Sequence, residues 1–177
     1  MTSITLKKWP AYDRTSLQDL YANTDQSKCI NELPVPLPYD NTTRYLAAME
    51  TGRNNGRVFH CYAIYLHDSI IGKIELTSYD PENAEMDLVI RKEHTGKGYG
   101  SQAFDCLVSL ARQENICRRI YAYVNVENDA MIAMLENRGF VKGRPFHADV
   151  NAEYNGVTFI RRKLGQEYIK DISTHLN

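Results

Sequence analysis

Gly96-Lys97-Gly98-Tyr99-Gly100 places three glycines at alternate positions, and the residues on either side give the string a chemical use. Ahead of it, Ala84-Glu85-Met86-Asp87-Leu88-Val89-Ile90 alternates and then turns wholly apolar, as a strand does. Behind it, Ala103, Phe104, Leu107, Val108, Leu110 and Ala111 recur at helical spacing within 101–113. Strand, glycine loop and helix together make a holder for phosphate. Glycines let the backbone pass close to a ligand with its N–H groups outward, and the helix start adds unpaired donors and a positive dipole end. The same string also serves as a plain tight turn. It is not a P-loop, because Lys97 lies between glycines instead of closing the motif. Nor is it a dinucleotide fingerprint, because Ser101 stands where the third glycine belongs.

A second motif follows, Asn128-Asp129-Ala130-Met131-Ile132-Ala133-Met134-Leu135-Glu136-Asn137-Arg138-Gly139-Phe140. With it, the chain resembles the GNAT acetyltransferase superfamily, and within it the RimJ/RimL-like branch. The family's phosphate motif is Arg or Gln, two residues, Gly, one residue, Gly or Ala. Thr95-Gly96-Lys97-Gly98-Tyr99-Gly100 matches it, with Thr95 in the Arg/Gln position. Asn128, Gly139 and Phe140 match the later motif in register. The resemblance covers residues 58–165 well and the first fifty-odd loosely.

The resemblance implies an α/β (α+β) fold, the GNAT acyl-CoA N-acyltransferase fold: a mixed, mainly antiparallel central sheet with helices on both faces. It implies acetyl-CoA as cosubstrate. Thr95, Gly96, Lys97, Gly98, Tyr99, Gly100 and Ser101 would hold the pyrophosphate, largely by backbone N–H groups. The strand before the loop and the one ending at Asn125 would splay apart, with Leu88, Val89 and Ile90 binding the pantetheine arm as an added strand would. Asn128 would contact that arm. Each has a plainer alternative: Leu88–Ile90 as sheet core, Lys97 as a solvated side chain, Asn128 as a helix N-cap.

The implied reaction is attack of an amine on the acetyl thioester. An amine is mostly protonated at neutral pH, so a proton acceptor is needed. Glu85, on the strand leading to the loop, and Glu75, on the adjacent strand, are the candidates. Alternation sets Glu75 opposite to Ile74 and Leu76, which also suits a solvated carboxylate. Leu135 stands where many relatives carry the tyrosine that protonates the departing thiolate, so Tyr123, Tyr121 or water remains for that step. A protein or peptide N-terminus is the leading acceptor, a polyamine-type small amine the second. A catalytically silent acyl-CoA-binding module is the alternative of another class.

The elements that must position these residues read as follows. Strands are expected at 4–9, 58–66, 69–77, 84–90, 119–125, near Val141 and at 157–163. Helices are expected from Thr15 or Ser16, from Thr42 or Thr43 to Glu50, over 101–113 and over 128–138. Leu33–Tyr39, with three prolines at alternate positions, is expected to be an extended loop. Trp9, Tyr39 and Tyr154 could line an acceptor pocket or merely pack.

At 177 residues the chain suits one domain, 1–177. A net charge of −1 offers no case for nucleic acid. Cysteines 29, 61, 106 and 117 show no CxxC pair and no zinc-like spacing, with Cys61 and Cys106 expected in apolar surroundings, and the five histidines form no ligand pair. No metal, no membrane span and a reduced, cytoplasmic setting are the expectations, with a homodimer allowed.

Overall fold

The computed structural model describes residues 3–25, 29, 38–154 and 157–173, and the side chains of 149–162 lie outside that description. Eight strands follow in chain order: β1 (Ile4–Lys8), β2 (Arg53–Asn54), β3 (Arg57–Leu66), β4 (Ser69–Ser78), β5 (Asn83–Ile90), β6 (Arg119–Asn125), β7 (Val141–Tyr154) and β8 (Val157–Asp171). The described residues also form four α-helices: α1 (Arg14–Ala22), α2 (Tyr39–Thr51), α3 (Tyr99–Gln113) and α4 (Asp129–Glu136). All strands join one sheet in the order β1-β3-β4-β5-β6-β8-β7, with β2 on β3. Among the described residues only β5 and β6 pair in parallel; the other neighbours are antiparallel. This is the mixed, mainly antiparallel sheet expected.

Alternation along the strands divides the apolar residues between two cores. Ile64, Ile74, Leu76, Ala84 and Met86 pack with α3 residues Ala103, Phe104 and Leu107 and with α4 residues Met134 and Leu135. Ala63 and Val89 pack on the other face with Leu17, Leu20 and Tyr21 of α1 and Leu46 of α2. Helices therefore cover both faces. Among the described residues no helix is long and apolar enough to cross a membrane.

Several boundaries differ from expectation for local reasons. Asp13, not Thr15 or Ser16, caps α1: its carboxylate accepts the Ser16 N–H at 3.0 Å. Thr42 and Thr43 lie inside α2 instead of opening it, donating their hydroxyls to Pro38 O and Tyr39 O at 2.9 Å each. That back-bonding uses the hydroxyl that sequence pattern assigns to a cap. The last two strands are far longer than expected. Pro145 and Gly143 interrupt the pattern of β7, but β7 is an edge strand with a register shift between Lys142 and Pro145, where a missing N–H costs no ladder bond. Cys106 is exposed on α3 instead of packed. The proline loop falls largely outside the described residues.

Candidate active site

The sheet opens at one place. β5 and β6 pair only through Asn83–Arg119, Ala84–Ile120 and Glu85–Tyr121. Past Glu85, β5 keeps its partner β4 as far as Ile90, while β6 continues against β8. Among the described residues no strand pairs with one edge of 86–90, the splay the resemblance implies. Two cavities fill the opening, an outer one of about 520 Å³ and an inner one of about 300 Å³. They share Leu88, Val89, Asn128, Met131 and Cys29 as lining.

The outer cavity is built from the glycine loop, the end of β5 and the start of α4. Gly96 and Gly98 sit at φ 71° and 80°, left-handed backbone that other residues enter only under strain. Gly98 is the N-cap of α3. Gln102 N donates to Gly98 O, the first bond of the helix, so the N–H groups of Tyr99, Gly100 and Ser101 have no partner within it. A Cβ at Gly100 would lie 3.2 Å from Leu88 Cδ2, so the glycine lets the helix start lie against β5. Thr95, Gly96, Gly98, Tyr99, Gly100, Ser101 and Ile90 all line this cavity; Lys97 is exposed and is not among them. Asn128 caps α4, its side-chain oxygen accepting Met131 N–H at 3.2 Å, and lines both cavities. Exposed helix N–H groups beside a left-handed glycine turn suit a pyrophosphate, and an unpaired strand edge suits an amide-bearing arm. Acetyl-CoA fits these residues.

The inner cavity holds charge. Glu75, Glu85 and Asp87 line it with Lys73, Tyr21, Tyr45 and Tyr123. The Lys73 side chain is 0% exposed, with Nζ 2.7 Å from Glu75 Oε2 and 2.9 Å from Asp87 Oδ2. The rings of Tyr45 and Tyr21 lie 5.2 Å and 5.7 Å from the same nitrogen. Burial works to lower the Lys73 pKa, but the charges of Asp87 and Glu75 overcome it, and the ammonium is held well above its usual range. Glu75 is no solvated carboxylate: its side chain is 13% exposed, and it also accepts the Tyr45 hydroxyl. Burial first, opposed by Lys73, raises its pKa. Burial, with Asp87 and Glu75 behind it, likewise raises Glu85, which accepts the Tyr79 hydroxyl. Sequence pattern carried no signal for Lys73 or Tyr45, nor for Lys92 and His94 in the outer lining.

Tyr123 lines the inner cavity, whereas Tyr121 is not part of its lining. The ring of Phe146 packs edge-on against Tyr123 at 5.4 Å between centroids. Burial, then Glu167 and Glu85, raise the Tyr123 pKa, so its hydroxyl keeps its proton at neutral pH. Leu135 is fully buried in the core and touches neither cavity. Trp9 is buried beside α1, Tyr39 is 69% exposed, and the side chain of Tyr154 lies outside the description. No group of three or more metal-ligating side chains occurs among the described residues.

Residues 3–141 match a family described as the acetyltransferase (GNAT) domain. No curated protein matches the chain in sequence. Among solved structures, the chain is similar to RimL, a ribosomal L7/L12 alpha-N-protein acetyltransferase in complex with coenzyme A, at 18% identity and TM-score 0.74 over 97% of this chain and 95% of that one. It is similar to yncA from Salmonella typhimurium with its cofactor acetyl-CoA, at 17% identity and TM-score 0.70 over 99% and 97%. It is also similar to mutant forms of the spermidine/spermine N-acetyltransferase SpeG from Vibrio cholerae, at 20% identity and TM-score 0.68 over 97% and 95%.

Proposed function

Because the chain belongs to the acetyltransferase (GNAT) family, we propose that it carries the acetyl group of acetyl-CoA to a primary amine, with a protein or peptide N-terminus as the leading acceptor. The observation that carries this is the meeting of the two cavities at Leu88, Val89, Asn128 and Met131. One has the donors for a pyrophosphate, the other has carboxylates for an ammonium, and they join along an unpaired strand edge. The likeness to RimL favours the N-terminal acceptor and the RimJ/RimL-like branch. The catalytic unit is taken as one domain over 1–177, working in the cytoplasm.

Acetyl-CoA, when bound, supplies an activated thioester carbonyl. The N–H groups at 99–101 hold the phosphates, with Thr95, Gly96 and Gly98 shaping the loop around them. Lys97, exposed at the loop's outer side, adds at most a screened charge. The open edge of Leu88–Ile90 and the Asn128 side chain align the arm, so the acetyl group is delivered at the inner cavity. Carboxylates there, Glu75 and Glu85 among them, draw in the ammonium, and one of the cluster receives its proton. Tyr123 stands on the opposite strand with a proton available for the leaving sulfur.

A small cationic amine is the second reading, because three carboxylates face a single lysine in the inner cavity. The deciding experiment measures thiol release from acetyl-CoA with a panel holding N-terminal peptides, spermidine and simple alkylamines. Turnover of peptides alone supports the first reading, and turnover of spermidine alone the second. Tight coenzyme A binding with no turnover on any amine would overturn both and leave a silent acyl-CoA-binding module.

A further inference from the structure

Glu75 and Asp87 stand directly opposite each other in the β4–β5 register. Like charges so placed repel, and two carboxylates in one site tend to hold a proton between them. Lys73 relieves both effects, reaching Glu75 Oε2 at 2.7 Å and Asp87 Oδ2 at 2.9 Å. As a stabilising device such a cluster is weak, since apolar residues of similar volume serve a sheet as well or better. Its place gives it another use: all three residues line the inner cavity, and Asp87 lies just past the last β5–β6 pair.

The carboxylates of that cavity differ in what they have left to offer. Glu75 is 13% exposed and gives one oxygen to both Lys73 and the Tyr45 hydroxyl. Glu85 lies within the closed part of the ladder, opposite Tyr121, and accepts the Tyr79 hydroxyl. Asp87 is 54% exposed, is held by Lys73 through Oδ2, and accepts no hydrogen bond at Oδ1 from a described residue. Of the three it is the exposed carboxylate, and it lies beyond the closed part of the ladder, where β5 and β6 have parted.

We propose that Asp87 receives the ammonium of the acceptor and takes its proton, with Lys73 as the positioning residue that presents it. The inference rests on the transferase reading. One proton passes from the ammonium to Asp87, leaving a neutral amine whose lone pair forms the bond to the acetyl carbon. The C–S bond breaks with its electron pair on sulfur, Tyr123 protonates that sulfur and recovers the second N–H proton, and Asp87 returns its own to solvent. The products are an amide, a thiol and one proton. Lys73 cancels one of the two opposed charges, so the pair keeps a single negative charge to meet a single ammonium.

The test compares wild type with Asp87→Asn, Lys73→Met, the double variant and Glu85→Gln, using acetyl-CoA with spermidine and with a serine-initiated peptide. Asp87→Asn should lower kcat/KM on the amine that turns over by roughly 10²-fold or more, the scale of a lost general base. Its affinity for coenzyme A by calorimetry should stay within about twofold, since the outer cavity is untouched. Lys73→Met should cost a comparable factor, and the double variant little more than the worse single, because Lys73 acts through Asp87. Losses that multiply in the double variant would make Lys73 merely structural and overturn the pairing. An Asp87→Asn protein within about threefold of wild type, with Glu85→Gln impaired, would move the role to Glu85. Should wild type bind coenzyme A yet turn over neither amine, the transferase reading falls, and spermidine calorimetry decides the ammonium site. There, weakening of about tenfold in Asp87→Asn upholds it and unchanged binding removes it.

Discussion

Glu85 and Tyr121 are the last residues paired across the parallel β5–β6 ladder, and the candidate site begins where that ladder stops. A parallel pair needs a crossover, here the loop and α3 between β5 and β6. The crossover leaves the carboxyl end of β5, so its glycine turn and helix start necessarily sit beside the opening. That is where ligands collect in sheets with parallel strands. The phosphate holder and the strand edge are thus products of one topological event, and the carboxylates on β4 and β5 lie one register step away.

The glycine loop should be sensitive in backbone and tolerant in side chain. Gly98 lies at φ 80° with nothing within 4 Å of an added Cβ, so Gly98→Val suffers strain, not collision. That strain is about 1–3 kcal/mol, relieved only by turning the peptide out of its binding orientation. Affinity for coenzyme A by calorimetry should fall at least tenfold in Gly98→Val, against less than threefold in Lys97→Ala, since an exposed charge in water is worth about 1 kcal/mol or less. An unchanged affinity in folded Gly98→Val would remove the loop from the cofactor site.

How far the sequence showed this site depends on what alternation can report. It placed β6 at 119–125 and set Glu75 on the face away from Ile74 and Leu76, which pack in the core with α3. It could not say what covers that face. Lys73 shares a face with Glu75 in Gly72-Lys73-Ile74-Glu75, and a strand pattern tells two faces apart without telling whether a helix lies on each. Here α1 and α2 bring Tyr21 and Tyr45 over it and bury the ammonium. Leu135 was legible for the same reason in reverse: an apolar residue at helical spacing, it packs in the core.

The buried cluster should show itself in stability against pH. Lys73 has a folded pKa well above its unfolded 10.5, so its stabilising share is complete below 10.5 and is lost as pH climbs beyond it toward the folded value. Glu75 has a folded pKa above its unfolded 4.5, so stability falls as pH rises from 4.5 and Glu75 ionises in place. Urea midpoints taken across pH should therefore decline on the alkaline side in wild type and decline less in Lys73→Met. An equal decline in both would place Lys73's titration outside the stability of the fold.

Thiolate protonation separates Tyr123 from Leu135. Tyr123 lines the inner cavity and keeps its proton past neutral pH, so Tyr123→Phe should lower kcat while Tyr121→Phe should not. Leu135→Ala should cost roughly 2–5 kcal/mol of stability as a core truncation and leave the shape of the pH–rate profile unchanged. If Tyr123→Phe keeps full kcat at every pH, the proton comes from water.

Glu75 should govern how strongly the cavity attracts a cation more than how fast it reacts. Its side chain is 13% exposed against 54% for Asp87, so it is the less accessible of the two to an incoming amine. Its charge still counts, because Lys73 divides itself between Glu75 and Asp87. In Glu75→Gln the shape and the hydrogen bonds remain while Lys73 turns wholly to Asp87, and the pair becomes neutral. A unit charge lost at short range near a protein surface is worth a few kcal/mol before screening by water and salt. The KM of a cationic acceptor should accordingly rise about tenfold with kcat nearly unchanged, a loss of binding shared by ground and transition states. Added salt should shrink the difference between wild type and variant, because the missing term is electrostatic. Steady-state kinetics on a peptide amine and on spermidine at two ionic strengths read both effects. A fall in kcat with unchanged KM would instead make Glu75 the proton acceptor and displace Asp87 from that role.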